Sequence, residues 1–185
     1  MPKEIETKFK IKDVAAFKIK LQELGAKFVE QRFEADVYYS PAVQGLFNGT
    51  VRVRSLDKGG EFTIKYNSGG SDKTFKVRQE LQVKVDDTKI LADMIRTLGY
   101  TERFRKEKKR MLYSYEDAVI AIDILPYIGS YVEIEAEQTK IKKLSEKLGL
   151  DIKKAIPDTY MDLFSLYKVL HNVNDMDLVF PKNER

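Results

Sequence analysis

The sequence predicts a mainly β fold of the α+β class: an antiparallel sheet, open or closed into a barrel, with helices packed outside it. Three observations carry this. About eight segments alternate in polarity with the period of two that belongs to strands. Four others repeat apolar residues at helical spacing, and three of these stop at a glycine. Several connections between strands are short and rich in turn residues, as hairpins require.

Along the chain, residues 3–10 alternate and read as a strand. A helix follows, with Val14, Phe17, Leu21 and Leu24 on one face and Gly25 as its stop. "KFVEQRFEADVYYS" is extended up to Pro41, and "VQGLFNGT" is a loop. "TVRVRSLDKGGEFTIKYN" is a hairpin with "DKGG" as its turn, and "SGGSD" is a flexible break. "KTFKVRQELQVKVDD" is a long strand. "TKILADMIRTLGY" is a second helix, ended by Gly99. Three strand-like runs follow: "YTERFRKEKKRMLYSYE", "AVIAIDILPYI" and "GSYVEIEAE". "TKIKKLSEKLGL" is a third helix, stopped by Gly149. "PDTYMDLFSLYKVLHN" is a fourth, with Asp158 or Thr159 at its start, and "DMDLVFPKNER" is irregular. No internal repeat is evident.

Composition narrows the chemistry. The chain has 185 residues, a length suited to one domain, and carries 33 Lys+Arg against 29 Asp+Glu. A net charge of +4 suits an anionic ligand but falls short of the cationic excess of a nucleic-acid-binding domain. With no cysteine, disulfides, thiol catalysis and Cys-zinc sites are excluded. His171 is the sole histidine, which argues against a His-rich metal site or a Ser-His-Asp triad. Any metal site must therefore use carboxylates, which favours a hard ion such as Mg²⁺ or Mn²⁺. With no apolar leader and no long apolar run, the expected location is cytoplasmic.

Charge parity is the most specific signal. Glu4, Glu6 and Lys8 share one strand face, and Ile5, Thr7 and Phe9 share the other. The pattern recurs at Arg52 and Arg54, at Thr63 and Lys65, and at Arg78, Glu80, Gln82 and Lys84. It recurs again at Lys106, Lys108 and Arg110, at Asp123, and at Glu133, Glu135 and Glu137. A charge run on one strand is usually a solvated face. The whole set has another solution. If the sheet closes with its apolar face outward under helices, the ionic face lines the interior. Buried charges are costly unless paired, hydrated or coordinating something. A triphosphate on the basic side and a divalent metal on the acidic side would meet that demand.

These residues resemble the motifs of the CYTH superfamily, the triphosphate tunnel metalloenzymes. The similar motifs are the ExExK of Glu4, Glu6 and Lys8, R-x-R at Arg52 and Arg54, and T-x-K at Thr63 and Lys65. R-x-E at Arg78 and Glu80, K-x-R at Lys108 and Arg110, Asp123 in "AIDIL", and Gly129, Glu133 and Glu135 follow in the same order. The resemblance implies an eight-stranded antiparallel closed barrel, the tunnel, with external helices. It implies a single tunnel domain over 1–170 and a tail over 171–185. It implies that Lys8, Arg52, Arg54, Lys65, Arg78, Lys108 and Arg110 bind the triphosphate, and that Glu4, Glu6, Glu80, Asp123, Glu133 and Glu135 bind Mg²⁺ or Mn²⁺ or position water. Lys8 and Glu6 are the implied catalytic pair, with Lys8 orienting or activating the nucleophile. Gln82 departs from the pattern, where a second acid is common, which weakens a second metal site.

"LPYIGSYVEIEAE" and "PDTYMDLF" are similar to the class IV adenylyl cyclase branch, with Thr159 where serine is common. The implied function is ATP conversion to cyclic AMP and pyrophosphate. The alternatives are hydrolysis of inorganic triphosphate, thiamine triphosphate or a nucleoside triphosphate, and a polyphosphate-binding module without turnover. A homodimer is compatible with the resemblance. The remaining features read as structural: Tyr38, Tyr39, Tyr160 and Leu163 as packing, and His171 as a solvated helix residue. "RFRKEKKR" is not a nucleic-acid patch, because acids on neighbouring strands would repel a phosphate backbone. "SGGS" and "DKGG" precede no helix start, so neither is a phosphate loop.

Overall fold

A computed structural model describes residues 3–43, 45, 47, 49–67 and 74–185, with the side chains of residues 3, 4 and 67 outside the description. The strands are β1 (Lys3–Ile11), β2 (Lys27–Pro41), β3 (Gly49–Ser55), β4 (Gly60–Asn67), β5 (Lys76–Val85), β6 (Tyr100–Tyr115), β7 (Ala118–Leu125) and β8 (Gly129–Glu135). The helices are α1 (Val14–Leu24), α2 (Thr88–Thr97), α3 (Gln138–Lys147) and α4 (Tyr160–His171). The expected "SGGSD" break lies outside the described residues, as does part of the loop before β3.

The eight strands form one antiparallel sheet that closes in a ring, in the order β1-β5-β4-β3-β2-β6-β7-β8. β1 is the closing strand: Glu6 pairs with Lys76 of β5 and with Glu135 of β8. The predicted β3–β4 hairpin turns through Gly59 and Gly60. A Cβ on Gly60 would meet the Arg54 carbonyl oxygen at 2.0 Å, so only glycine lets the strands come this close. The three glycines expected to stop helices, Gly25, Gly99 and Gly149, all take positive φ.

The helices sit outside the ring, because the apolar parity of each strand points outward. Phe9, Ile120, Ile122, Val132 and Ile134 meet Phe17 and Leu21 of α1 and Ile141 and Leu144 of α3. Ile95 of α2 covers Tyr39, Val51 and Val53. Phe164 of α4 joins Phe104, Leu125, Ile128 and Tyr131. Each such buried side chain contributes about 1.5–3 kcal/mol of transfer free energy, so the outer layer holds the sheet closed. With the apolar parity used outside, the charged parity faces in. Among the described residues no helix is long and apolar enough to cross a membrane.

The C-terminal segment is irregular, as its sequence suggests, but it is docked. β7 pairs with β6 only from Lys109 onward, which leaves the earlier edge of β6 without a strand partner on that side. Leu178 fills this edge. Its N–H donates to the Arg105 carbonyl (2.9 Å), and its carbonyl accepts from Glu107 N–H (2.8 Å). Its side chain is fully buried among Phe104, Tyr160 and Phe164.

Candidate functional site

The ring encloses a cavity of about 580 Å³. Its wall includes Glu6, Lys8, Arg52, Arg54, Lys65, Arg78, Glu80, Lys108, Arg110, Glu133 and Glu135. Every expected site residue is therefore on the wall except Asp123, which lies behind it, and Glu4, whose side chain is outside the description. The Glu4 backbone pairs with Arg78 across β1 and β5.

The sequence reading missed the acids that organise these cations. Glu34 and Asp36 of β2 point inward and are fully buried. Arg54 forks onto Asp36 (2.7 and 3.1 Å) and reaches Glu34 (2.9 Å). Lys106 lies 3.1 Å from Asp36. Lys108 lies 3.3 Å from Glu34 and 3.0 Å from Asp123. Arg110 bonds Asp123 (Nε–Oδ1 2.6 Å) and Glu133, and Glu133 accepts from Lys8 at 3.0 Å. A continuous chain of paired charges thus runs from Arg54 through Glu34, Lys108, Asp123, Arg110 and Glu133 to Lys8. Across the ring, Arg52 donates to Thr63 (2.9 Å), and Lys65 pairs with Glu80 (2.8 Å). Gln82, the departure from the expected acid, accepts from the Thr63 hydroxyl (3.1 Å).

The resemblance places Asp123 among the metal ligands. Here its two oxygens accept from Lys108, Arg110 and the Tyr160 hydroxyl (2.9 Å), and its side chain is fully buried. In this geometry it serves as the counter-ion of Lys108 and Arg110.

Burial opposes the charges of Glu34, Asp36, Glu133 and Lys108, and pairing outweighs it at the three carboxylates. Burial alone would raise the Glu34, Asp36 and Glu133 carboxyls. Lys108, Arg110 and Arg54 outweigh it at Glu34 and hold that group far below the usual carboxylate range. Arg54, Lys106 and Arg52 do the same at Asp36, and Lys8, Arg110 and Lys108 at Glu133. Lys108 goes the other way. Burial, reinforced by the Arg110 charge, brings its ammonium down to about 8 despite Asp123 and Glu34. Burial, with Asp123 and Glu133 nearby, pushes the Tyr160 hydroxyl well up, so it stays a donor.

Lys106 was legible by parity yet absent from the expected site, and three wall residues that parity does not expose, Arg32, Tyr38 and Tyr160, were absent from it too. Lys106 belongs to the same inward row as Lys108 and Arg110. Arg32 bridges Glu30 (2.9 Å) and Glu34 (2.7 Å). Tyr38, read as core, lines the cavity and accepts from Lys106 Nζ (2.9 Å), whereas Tyr39 is buried on the outer face under α2. Tyr160, read as helix packing, reaches the cavity from the first position of α4. Its neighbour Thr159 is the N-cap: its side chain accepts from Asp162 N–H, and Asp162 returns a bond to the Thr159 N–H.

An inward-facing ionic ring on a closed eight-stranded sheet carries the expected motif order into three dimensions, and residues 2–159 match the CYTH domain family. The chain belongs to the CYTH domain family. A Methanocaldococcus jannaschii protein provisionally named an adenylate cyclase is 29% identical over 155 residues, covering 83% of this chain and 89% of its own. A Pyrococcus horikoshii protein of known structure superposes with a TM-score of 0.75 at 24% identity, over 86% of this chain and 98% of its own. A Hippeastrum protein, provisionally an adenylyl cyclase and described as having a dominant triphosphatase activity, superposes with a TM-score of 0.63 at 11% identity. That alignment covers 92% of this chain and 98% of the Hippeastrum protein, and at such identity it speaks to the fold alone.

Proposed function

We propose that this CYTH domain protein is a divalent-metal-dependent enzyme acting on a triphosphate, with cyclisation of ATP to cyclic AMP and pyrophosphate as its first reading. The observation that carries the proposal is the inward ring of cations around an enclosed cavity. Lys8, Arg52, Arg54, Lys65, Arg78, Lys108 and Arg110 would hold phosphate oxygens, the arginines by paired hydrogen bonds. Lys106 joins them by position. In phosphoryl and nucleotidyl transfer the protein contributes mainly position and fixed charge, which such a ring supplies.

The donor set decides whether a metal fits. Among the described residues no group of three acidic or histidine side chains is arranged to hold a metal ion by itself. Glu6 and Glu135, however, lie directly opposite in the β1–β8 ladder, with Glu133 one inward position away. Like charges so placed repel, and their all-oxygen donor set suits a hard cation shared with phosphate oxygens and water. Glu6, Glu133 and Glu135, with Glu4 and Glu80, would hold Mg²⁺ or Mn²⁺. When bound, the ion would supply positive charge to offset the charge that develops on the phosphate oxygens. Asp123 would act through Lys108 and Arg110 and not as a ligand. Lys8, fixed between Glu133 and the Asp158 carbonyl (3.3 Å), would orient the nucleophile at the phosphate chain.

A second reading is triphosphate hydrolysis. It is favoured by the cavity wall itself, which is ionic on most sides and, among the described residues, offers a base only Tyr38, Leu112, Val119, Tyr160 and Met161 as apolar or aromatic contacts. In cyclisation the ribose 3′-hydroxyl attacks the α-phosphorus and pyrophosphate leaves. In hydrolysis water attacks. Product analysis separates them. The protein is incubated with Mg²⁺ or Mn²⁺ and, separately, ATP, inorganic triphosphate and thiamine triphosphate. Cyclic AMP with pyrophosphate supports the first reading, and orthophosphate without cyclic AMP the second. Tight binding of triphosphate without turnover would replace both with a binding module.

A further inference from the structure

We propose that Tyr160 is a positioning residue of this site: its ring seats the Lys8 ammonium and its hydroxyl fixes Asp123, so the C-terminal segment sets the geometry of the cation ring. The proposal rests on the triphosphate reading for its kinetic consequence, though not for its structural content.

Lys8 Nζ stands 4.2 Å from the centre of the Tyr160 ring, and Lys106 and Lys108 Nζ stand at 5.5 and 5.8 Å. Three ammonium groups from two strands therefore surround one aromatic side chain. An aromatic face attracts a cation most strongly where water is excluded, and Tyr160 is only 5% exposed. The same side chain bonds Asp123 through its hydroxyl at 2.9 Å, and Asp123 holds Lys108 and Arg110. One residue thus touches the charge chain at two points, Lys8 directly and Arg110 through Asp123.

The backbone around it grips the same lysine. Ile156 N–H donates to the Lys8 carbonyl at 2.8 Å, and the Asp158 carbonyl accepts from Lys8 Nζ at 3.3 Å. A helix anchor needs none of this. Phe164, one turn further along α4 and 1% exposed, already supplies that anchor, with Leu178 behind it. A carboxylate in place of Tyr160 would also attract the lysines, but it would repel an incoming phosphate chain. A neutral aromatic face orders cations without that competition.

The test uses the full chain and four variants. In the wild type, proton NMR of the lysine side chains, with Lys8→Arg for assignment, should show the Lys8 ε-methylene shifted upfield by the Tyr160 ring. The shift should persist in Tyr160→Phe and vanish in Tyr160→Leu. In steady-state kinetics on whichever triphosphate is turned over, Tyr160→Leu should lower kcat at least about tenfold, with KM changed less than about threefold. Tyr160→Phe should recover most of kcat. Phe164→Leu, which disturbs the anchor alone, should cost stability and leave kcat within about twofold. Wild-type kcat in folded Tyr160→Leu, or an unshifted Lys8 in the wild type, overturns the proposal. The wild-type spectrum decides even if Tyr160→Leu does not fold. Absence of turnover on every triphosphate, with Lys8 still shifted, would overturn the function and its kinetic corollary while upholding the seat of Lys8.

Discussion

Asp36→Asn removes one charge from the lattice with almost no change in shape. The native carboxylate is fully buried and receives Arg54 at 2.7 and 3.1 Å and Lys106 at 3.1 Å, with Arg52 at 3.9 Å. The variant leaves those cations in a low-dielectric wall with less than their full counter-charge. Breaking one side of a buried ion pair costs about 3–5 kcal/mol. For a chain of this size that lowers Tm by about 6–20 °C, at roughly 2–4 °C per kcal/mol. The pH dependence carries a sign. The folded-state carboxyl of Asp36 is held well below its unfolded value by Arg54, Lys106 and Arg52 against burial. Its stabilising contribution is therefore complete above the unfolded carboxylate value, near pH 4, and drains away as the pH falls below it. Urea unfolding of wild type and variant between pH 7 and pH 3.5 reads both effects. The stability gap should be widest at neutral pH and narrow toward the acid end. Inorganic triphosphate should also raise Tm more in the variant than in the wild type, because a bound polyanion replaces the missing counter-charge. A loss under about 1 kcal/mol at pH 7, or a gap that does not change with pH, would refute the lattice as an energetic unit.

Other outcomes follow from the same geometry. Lys8→Ala and Glu6→Ala should abolish turnover of the triphosphate identified by product analysis while the far-ultraviolet circular dichroism stays native. Lys108 titrates near pH 8 because burial and Arg110 disfavour its charge. A bound polyanion favours the charged amine, so triphosphate binding near that pH should take up protons. Calorimetry in buffers of different ionisation enthalpy measures the uptake, and Lys108→Arg should eliminate it. Leu178→Ala empties a fully buried position on the β6 edge and should cost about 2–5 kcal/mol in chemical denaturation.

The sheet and much of its inner face were legible because a strand's period is two. In "VRVRS" the outward pair Val51 and Val53 is apolar, so the inward assignment of Arg52 and Arg54 follows at once. β2 defeats the same test. Its outward row of Gln31, Phe33, Ala35 and Val37 is mixed, so nothing marks Glu34 and Asp36 as the buried row until the ring is closed around them. Tyr160 fails for another reason. Helical spacing assigns an aromatic to a face, but this residue stands at the first position of its helix, and the Thr159 cap and the grip on Lys8 decide where it points. Asp123 stood out by its charge among apolar neighbours, but its partners are Lys108 and Arg110 of β6 and the Tyr160 hydroxyl of α4, and that is a non-local fact. Leu178 is an anchor only because β7 ends short of β6, a mismatch of strand lengths that local pattern does not expose.

The closing strand sets an order of events for a newly made chain. β1 precedes the other strands in the chain, yet its neighbours in the ring are β5 and β8, and its pairing of Glu6 with Glu135 waits until β8 has been made. Contacts so distant in sequence are slow to form. Until then the strand that carries Glu6 and Lys8 is open on its β8 side. The residues expected to carry the chemistry are thus assembled by the same step that seals the ring. An N-terminal extension that hinders the β1 ladder would therefore disturb ring closure and the placement of Glu6 and Lys8 together.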